Sequence, residues 1–75
     1  MNVTAVVSTT LATVAYDHAG HVLQLKFRSG AAYRYFGVPA EVHDGLLQAS
    51  SKGRYFNREI RERFRHVHIV TAGEA

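Results

Sequence analysis

Four arginines in the second half of the chain have the spacing of one helix face. They are Arg54, Arg58, Arg61 and Arg65. At 100° per residue, positions i, i+4, i+7 and i+11 fall within an arc of about 40–60°. Such a row extends over about 16 Å, which is comparable with several phosphate spacings. The alternative is a solvated helix face on which Glu62 pairs with Arg58 or Arg65. We expect the row to bind phosphates.

Other basic side chains would enlarge this surface. Lys26 and Arg34 fall on predicted strands, where they would share one uncovered face, and Arg28 lies at the end of a strand. The run Ser51-Lys52-Gly53 would present backbone N–H groups at the start of a helix, where an anion is favoured. The predicted nucleic-acid-binding residues are therefore Lys26, Arg28, Arg34, Lys52, Arg54, Arg58, Arg61 and Arg65.

Tyrosines and one asparagine near these basic residues have two interpretations each. Tyr33 and Tyr35 either fill the core or form a platform on which bases stack, and we favour the core. Asn57 either caps the second helix or bridges it to the strands, or else it lines a small ligand pocket. We favour the structural role for Asn57. The possible stacking or motif residues are Tyr33, Tyr35, Tyr55 and Asn57.

Catalytic and metal-binding chemistry has weaker support. His66 and His68 would lie on one side of a strand and could share a metal, but no third ligand is obvious. Asp17 and His18 have the composition of half a catalytic pair, but the spacing identifies no nucleophile. We therefore predict a protein that is not an enzyme, with no catalytic residues, no metal site and no cofactor.

These side chains must be positioned by an antiparallel meander in the first half of the chain. Strands are predicted over 11–16, 22–28 and 31–36, because alternating or β-branched residues are interrupted at Asp17–Gly20 and at Ser29-Gly30. A two-residue loop at the second turn would place both tyrosines on the polar face with Lys26. A three-residue loop with Gly30 left-handed would place them beside Leu23 and Leu25 instead. We favour the three-residue loop, since it keeps the charge of Arg34 out of the core.

Two helices follow the meander. Pro39 marks the start of the first helix, in which Gly45 is unfavourable unless it lets the strands approach closely. The second helix is predicted to end at about Phe64, with Ser51 or Asn57 as its N-cap. The apolar stripes of both helices would cover one face of the sheet. The predicted fold class is α+β, in two layers and in the order βββαα, with apolar stripes formed by Val42, Leu46 and Ala49 and by Phe56, Ile60 and Phe64.

Length and composition limit the function classes. The chain has 75 residues, a net charge of +3 and no cysteine, which excludes disulfide scaffolds and thiolate zinc fingers and favours a cytoplasmic location. We expect a single domain over 1–75, with its core at about 8–70 and short flexible ends at 1–7 and 71–75. No segment has the length of a membrane span or the pattern of a signal peptide.

Several motifs in the predicted elements resemble those of the KTSC domain, a small module found at the C-terminus of some lysyl-tRNA synthetases and as a free-standing bacterial protein. The resemblance covers about 8–64 and departs from the family pattern at Phe64, where a tyrosine is expected. It implies nucleic-acid binding, through the association with the synthetase, and it supplies no catalytic residues. The motifs are Tyr33-Arg34-Tyr35, Val38-Pro39, Leu46-Leu47-Gln48-Ala49-Ser50, Lys52-Gly53-Arg54-Tyr55-Phe56-Asn57 and Ile60-Arg61 with Phe64.

Two function hypotheses follow from the sequence. The first is a non-catalytic module that binds RNA or another polyanion through the arginine row and the basic sheet face. The second is a protein-interaction or self-association module, with a homodimer as one possibility, that uses the open sheet face and the sheet edges. In the second hypothesis the tail around His68 adds a strand within the molecule or between molecules.

Overall fold

Two helices cover one face of a five-stranded antiparallel sheet in the computed structural model, which describes residues 1–69. The strands follow one another in the sheet in chain order, so each is hydrogen-bonded to its neighbour in sequence. The predicted α+β class is confirmed, and the predicted three-stranded meander is corrected to five strands. The elements are β1 (Asn2–Ala5), β2 (Leu11–Asp17), β3 (Val22–Phe27), β4 (Ala32–Phe36), α1 (Ala40–Gln48), α2 (Lys52–Glu59) and β5 (His66–Ile69).

The core lies between the helices and the three central strands. Along β3 the side chains alternate, so that Leu23 and Leu25 are fully buried while Lys26 is exposed. This is the period-2 pattern of a strand that is covered on one face. The buried residues that form the core are Leu11, Val14, Tyr16, Leu23, Leu25, Tyr35, Val38, Leu46, Phe56 and Ile60.

The hairpin between β3 and β4 has the three-residue loop that the sequence favours. Gly30 has a φ of 98°, in the left-handed region, and its N–H donates to the Phe27 carbonyl over 3.0 Å. Leu25 pairs with Tyr33 and Leu23 pairs with Tyr35. Both tyrosines therefore lie on the helix-covered face. Arg34 is exposed on the opposite face, as the cost of burying its charge predicts.

The two additional strands lie at the sheet edges. β1 occupies most of the segment that we expected to be loose, and it pairs with β2 although all four of its side chains are exposed. The prediction missed it because a strand without buried residues has no alternating pattern to detect. β5 pairs with β4 of the same molecule, which is one of the two placements considered for the tail. The expected loose end at 71–75 lies outside the described residues.

The second helix ends five residues before the predicted Phe64. Ile60 leaves the helical conformation at a φ of −123°, and the Arg61 N–H donates to the Phe56 carbonyl over 2.9 Å. The Arg58 carbonyl in the last turn accepts a hydrogen bond from Arg63 Nε, which satisfies one of the terminal acceptors. Ile60 is nevertheless fully buried. A helix followed by a turn therefore buries the same apolar residue that led us to predict a continuous helix.

The first helix begins where the sequence predicts. Pro39 is its N-cap, in an extended conformation, and Leu46 is buried from its apolar side. Gly45 allows a close approach, but of α2 rather than of the strands, because a Cβ there would overlap the Tyr55 hydroxyl. Neither α1 nor α2 approaches the length and apolar character of a membrane span, and residues 1–69 contain no other helix that does.

Candidate nucleic-acid interface

Two shallow clefts flank the turn that joins α1 to α2. The first has a volume of about 370 Å³ and the second about 410 Å³. They share Ser50 and Ser51, so that the turn forms a ridge between them. The first is lined by Val7, Ser8, Thr9, Arg28, Ser50, Ser51, Lys52 and Gly53, and the second by Gly45, Gln48, Ala49, Ser50, Ser51, Arg54, Tyr55 and Arg58.

The N-terminus of α2 is held at this ridge by its cap and by a glycine. The Ser51 hydroxyl accepts from the Arg54 N–H over 3.4 Å, so Ser51 rather than Asn57 is the N-cap. A Cβ added at Gly53 would lie 2.6 Å from Thr10 Oγ1. The helix therefore packs directly against the loop before β2, which brings the hydroxyls of that loop into the first cleft.

The two basic side chains of the first cleft donate to backbone carbonyls. Arg28 Nε donates to the Ser8 carbonyl, and Lys52 Nζ donates to the Ala49 carbonyl over 3.1 Å. The ion pairs found within residues 1–69 involve neither of them. These hydrogen bonds orient the side chains without neutralising their charges, which leaves the cleft able to attract an anion.

The second cleft places a guanidinium beside an aromatic ring. The Arg58 guanidinium lies 5.7 Å from the centre of the Tyr55 ring, within the range of a cation–π contact. Arg58 Nε is 3.0 Å from Glu59 Oε2, so Arg58 pairs with its sequence neighbour and not with Glu62, the partner considered in the alternative interpretation. Burial raises the pKa of the Tyr55 hydroxyl, Glu59 adds to the rise, and Arg58 opposes it.

The predicted four-arginine row is broken at the end of α2. Arg54 and Arg58 lie on α2 and line the second cleft, whereas Arg61 and Arg65 follow the helix in an exposed segment that leads into β5. The physical reason is the helix end at Glu59, after which the 100° periodicity no longer applies. The basic residues predicted on one helix therefore belong to two surfaces.

The open face of the sheet holds a third group of basic side chains. Lys26 and Arg34 are both exposed there, on the side opposite the helices. Arg34 donates to Gln24 Oε1 through both Nε, at 3.2 Å, and Nη2, at 2.8 Å. Neither Lys26 nor Arg34 lines either cleft, so this face does not extend them.

The remaining motif residues divide between core and surface. Tyr35 is 3% exposed and packs against Phe56, and Tyr33 is half-buried, so neither forms a platform on the open face. Burial raises the pKa of Tyr35 to about 12. Asn57 is exposed on α2 and lines neither cleft. We favoured a structural role for Asn57, as a cap of α2 or as a bridge from α2 to the strands, and that prediction is wrong.

Hydroxyl and amide groups that the sequence did not single out also line the clefts. Ser8 and Thr9 contribute to the first cleft and Gln48 to the second. The detectable signal was the run Ser8-Thr9-Thr10 immediately before a predicted strand. Across residues 1–69, no three histidine, aspartate or glutamate side chains are grouped so that they could hold a metal ion.

Comparison with known proteins gives consistent matches. The model of the KTSC domain matches residues 7–64. A protein of Tsukamurella paurometabola is 45% identical over 60 residues, covering 80% of this chain and 90% of its own length. A lysine–tRNA ligase of Nostoc punctiforme is 39% identical over 51 residues, which are 68% of this chain and 9% of the ligase. The crystal structure of a KTSC domain protein from Yersinia pestis has a TM-score of 0.89 at 32% identity, covering 92% of this chain and 97% of that one.

Proposed function

This chain belongs to the KTSC domain family, and from that premise we propose that it is a non-catalytic module that binds nucleic acid, specifically RNA. The binding surface consists of the two clefts on either side of Ser50 and Ser51. The open sheet face and the segment after α2 carry further basic side chains outside these clefts.

The observation that carries this proposal is the clustering of basic side chains around one turn. Four of them line clefts that are otherwise rich in hydroxyl groups, and three of the four lack a carboxylate partner among residues 1–69. Guanidinium and hydroxyl groups are the usual donors to phosphate oxygens. Shallow, open clefts suit a polymer that lies across the surface. The four basic residues are Arg28, Lys52, Arg54 and Arg58.

The relatives support RNA in particular. Segments similar to this chain occur in three lysine–tRNA ligases, where they make up 9–10% of the length. A protein of that name acts on tRNA, and basic side chains such as those of this chain favour binding to a phosphate backbone. We transfer to this chain the class of ligand only.

The proposal predicts binding that weakens steeply with salt. With about four phosphate contacts to single-stranded RNA, raising the salt from about 50 to about 200 mM should weaken the affinity about 50-fold. Fluorescence anisotropy with labelled tRNA and with a labelled single-stranded RNA measures this directly. Absence of binding to both RNAs at about 50 mM salt would overturn the proposal.

A pair of charge-reversal variants locates the surface. Arg54→Glu with Arg58→Glu changes two exposed residues of α2 and should weaken binding about ten-fold or more. Lys26→Glu with Arg34→Glu is the matched control, since it makes the same change in net charge on the opposite side of the sheet. Equal losses in both variants would mean that net charge, rather than the clefts, attracts the RNA.

The sheet edges favour self-association as a second candidate function. β5 is an edge strand, and Val67 at 46% and Val3 at 67% are among the exposed large apolar side chains. Unpaired edge strands are templates for pairing with another chain. Light scattering over a range of concentrations separates the two functions: a dimer that is insensitive to salt and has no affinity for polyanions would favour self-association.

A further inference from the structure

Four aromatic rings form a cross-strand group on the helix side of β4 and β5. Tyr33 pairs with His68 and Tyr35 pairs with His66. The ring centres are 4.9 Å apart in the first pair, with an interplanar angle of 33°, and 5.1 Å apart in the second, with an angle of 35°. Tyr33 also contacts His66 edge-on at 5.9 Å. The four rings therefore form one continuous patch, which we call the Tyr–His patch.

The patch runs from the core to the surface. Phe56 of α2 packs on Tyr35 at a ring distance of 5.7 Å, so that Tyr35 is buried. Tyr33 is half-buried, and both histidines are exposed. The two tyrosine rings thus lie on the core side of the histidine rings and fix their positions. The result is an exposed aromatic surface with rigid support, which is the arrangement that stacking of another ring requires.

The segment between α2 and β5 brings positive charge to the patch. Residues 60–65 contain three arginines and Glu62 as their one acid. Arg61 lies near enough to Tyr35 for its charge to oppose the rise in the pKa of that hydroxyl, which burial causes. Arg65 immediately precedes His66, and its carbonyl accepts from the Phe36 N–H, which fixes its backbone at the sheet edge. The early end of α2 therefore brings the charge of Arg61 near the buried end of the patch.

We propose that the Tyr–His patch stacks the bases of single-stranded RNA, with His66 and His68 as the contacting rings and Arg61 as a contact to an adjacent phosphate. This rests on the proposed RNA-binding function and names its ligand as unpaired RNA rather than duplex. Exposed aromatic side chains, histidine included, are the usual stacking partners of splayed bases, and flanking basic groups hold the backbone.

The spacing of the two histidines favours unpaired bases. Side chains two residues apart on a strand are separated by about 6.6 Å, which is about twice the 3.4 Å between successive bases in a duplex strand. Two bases that stack on His66 and His68 must therefore be separated from each other. A duplex cannot supply such bases without paying the cost of unpairing, whereas a flexible single strand can.

The test compares three RNA probes of one length at about 50 mM salt: a single strand, the same strand with abasic sites, and a duplex. Wild-type protein should bind the single strand about five-fold or more tighter than the abasic probe, which keeps the phosphates but lacks the bases. His66→Ala with His68→Ala should remove that difference and leave the weaker binding to the abasic probe. Val67→Ala, an exposed change on the other side of β5, is the control and should retain the difference.

The outcomes separate this inference from the function on which it rests. If wild type binds all three probes equally, and Arg54→Glu with Arg58→Glu weakens all three, the stacking role is wrong and the RNA-binding proposal stands. If no probe binds, both are wrong. If light scattering shows a dimer that the histidine variant abolishes, while RNA affinity is unchanged, the patch contacts a second copy of the chain. Thermal melts of each variant confirm that it is folded.

Discussion

The central strands and the edge strands of this sheet are joined by the same hydrogen-bond ladder but differ in what they bury. β2 and β3 contribute Leu11, Val14, Leu23 and Leu25, all fully buried. β1 has four exposed side chains, and β5 has three exposed residues out of four. Backbone pairing is therefore sufficient to add a strand, while apolar burial supplies most of the free energy. The edge strand β5 is left free to carry the two histidines that we assign to base stacking.

The variant with the largest expected effect shortens a buried side chain in the centre of the sheet. Leu25→Ala removes a fully buried side chain beneath the helices and should lower the free energy of unfolding by about 2–5 kcal/mol, from lost burial and the cavity that remains. In a chain of 75 residues that is a large part of the total stability. Urea denaturation monitored by circular dichroism measures the change.

The matched edge variant is Val67→Ala, since Val67 is 46% exposed on β5. Its free energy of unfolding should stay within about 0.5 kcal/mol of wild type. A loss of more than about 1 kcal/mol at Val67 would contradict the contrast between centre and edge. It would indicate instead that the face of β5 that carries Val67 is packed against another surface in solution.

The next largest effect concerns the contact between α2 and the loop before β2. Exchanging a helical glycine for alanine ordinarily stabilises a helix by about 1 kcal/mol. At Gly53 the added Cβ would lie 2.6 Å from Thr10 Oγ1, so we expect Gly53→Ala to destabilise the protein by about 1–3 kcal/mol. Thr10→Ala in the same chain removes the obstructing hydroxyl and should restore part of the loss. A stabilised Gly53→Ala variant would show that the loop is held to α2 more loosely than the structure has it.

The same contrast explains which parts of the fold were predictable. β2, β3 and β4 were found because burial on one face imposes an alternating pattern, and the register followed from the cost of burying Arg34. The four side chains of β1 are all exposed and have no such pattern. This strand is therefore identified only by its pairing with β2. The end of α2 was misplaced because Ile60 is fully buried whether or not the helix continues, and apolar spacing alone does not distinguish the two cases.

The candidate site was predictable in its chemistry but not in its grouping. Arg54 and Arg58 were placed together correctly, since they are one turn apart on the same helix. Arg28 lines the first cleft with Lys52 only because the fold brings the end of β3 to the α1–α2 turn, which residue spacing does not encode. His66 and His68 were recognised as a pair, but their tyrosine partners depended on β5 pairing with β4.

The histidines also differ between covered and exposed parts of the molecule. The change in stability that we expect from this difference is smaller than those expected for Leu25→Ala and Gly53→Ala. Unlike the exposed pair on β5, the His43 side chain is 13% exposed and stacks on Tyr16 at a ring distance of 4.5 Å. Burial lowers the pKa of His43 below its ordinary 6.5, His18 adds to the lowering, and Asp44 opposes it. The unfolded chain therefore takes up this proton at a higher pH than the folded chain does.

It follows that the stability due to a neutral His43 is fully present above pH 6.5 and is lost as the pH falls below that value towards the folded pKa. His43→Phe keeps a ring against Tyr16 but removes the titration, so stability should fall less between pH 8 and pH 5 in the variant than in wild type. Urea denaturation at several pH values measures both slopes, and pH 8 provides the internal control for any change in packing. Parallel slopes would mean that His43 is protonated as readily in the folded chain as in the unfolded one, which requires water to reach the imidazole that the stacked Tyr16 ring covers.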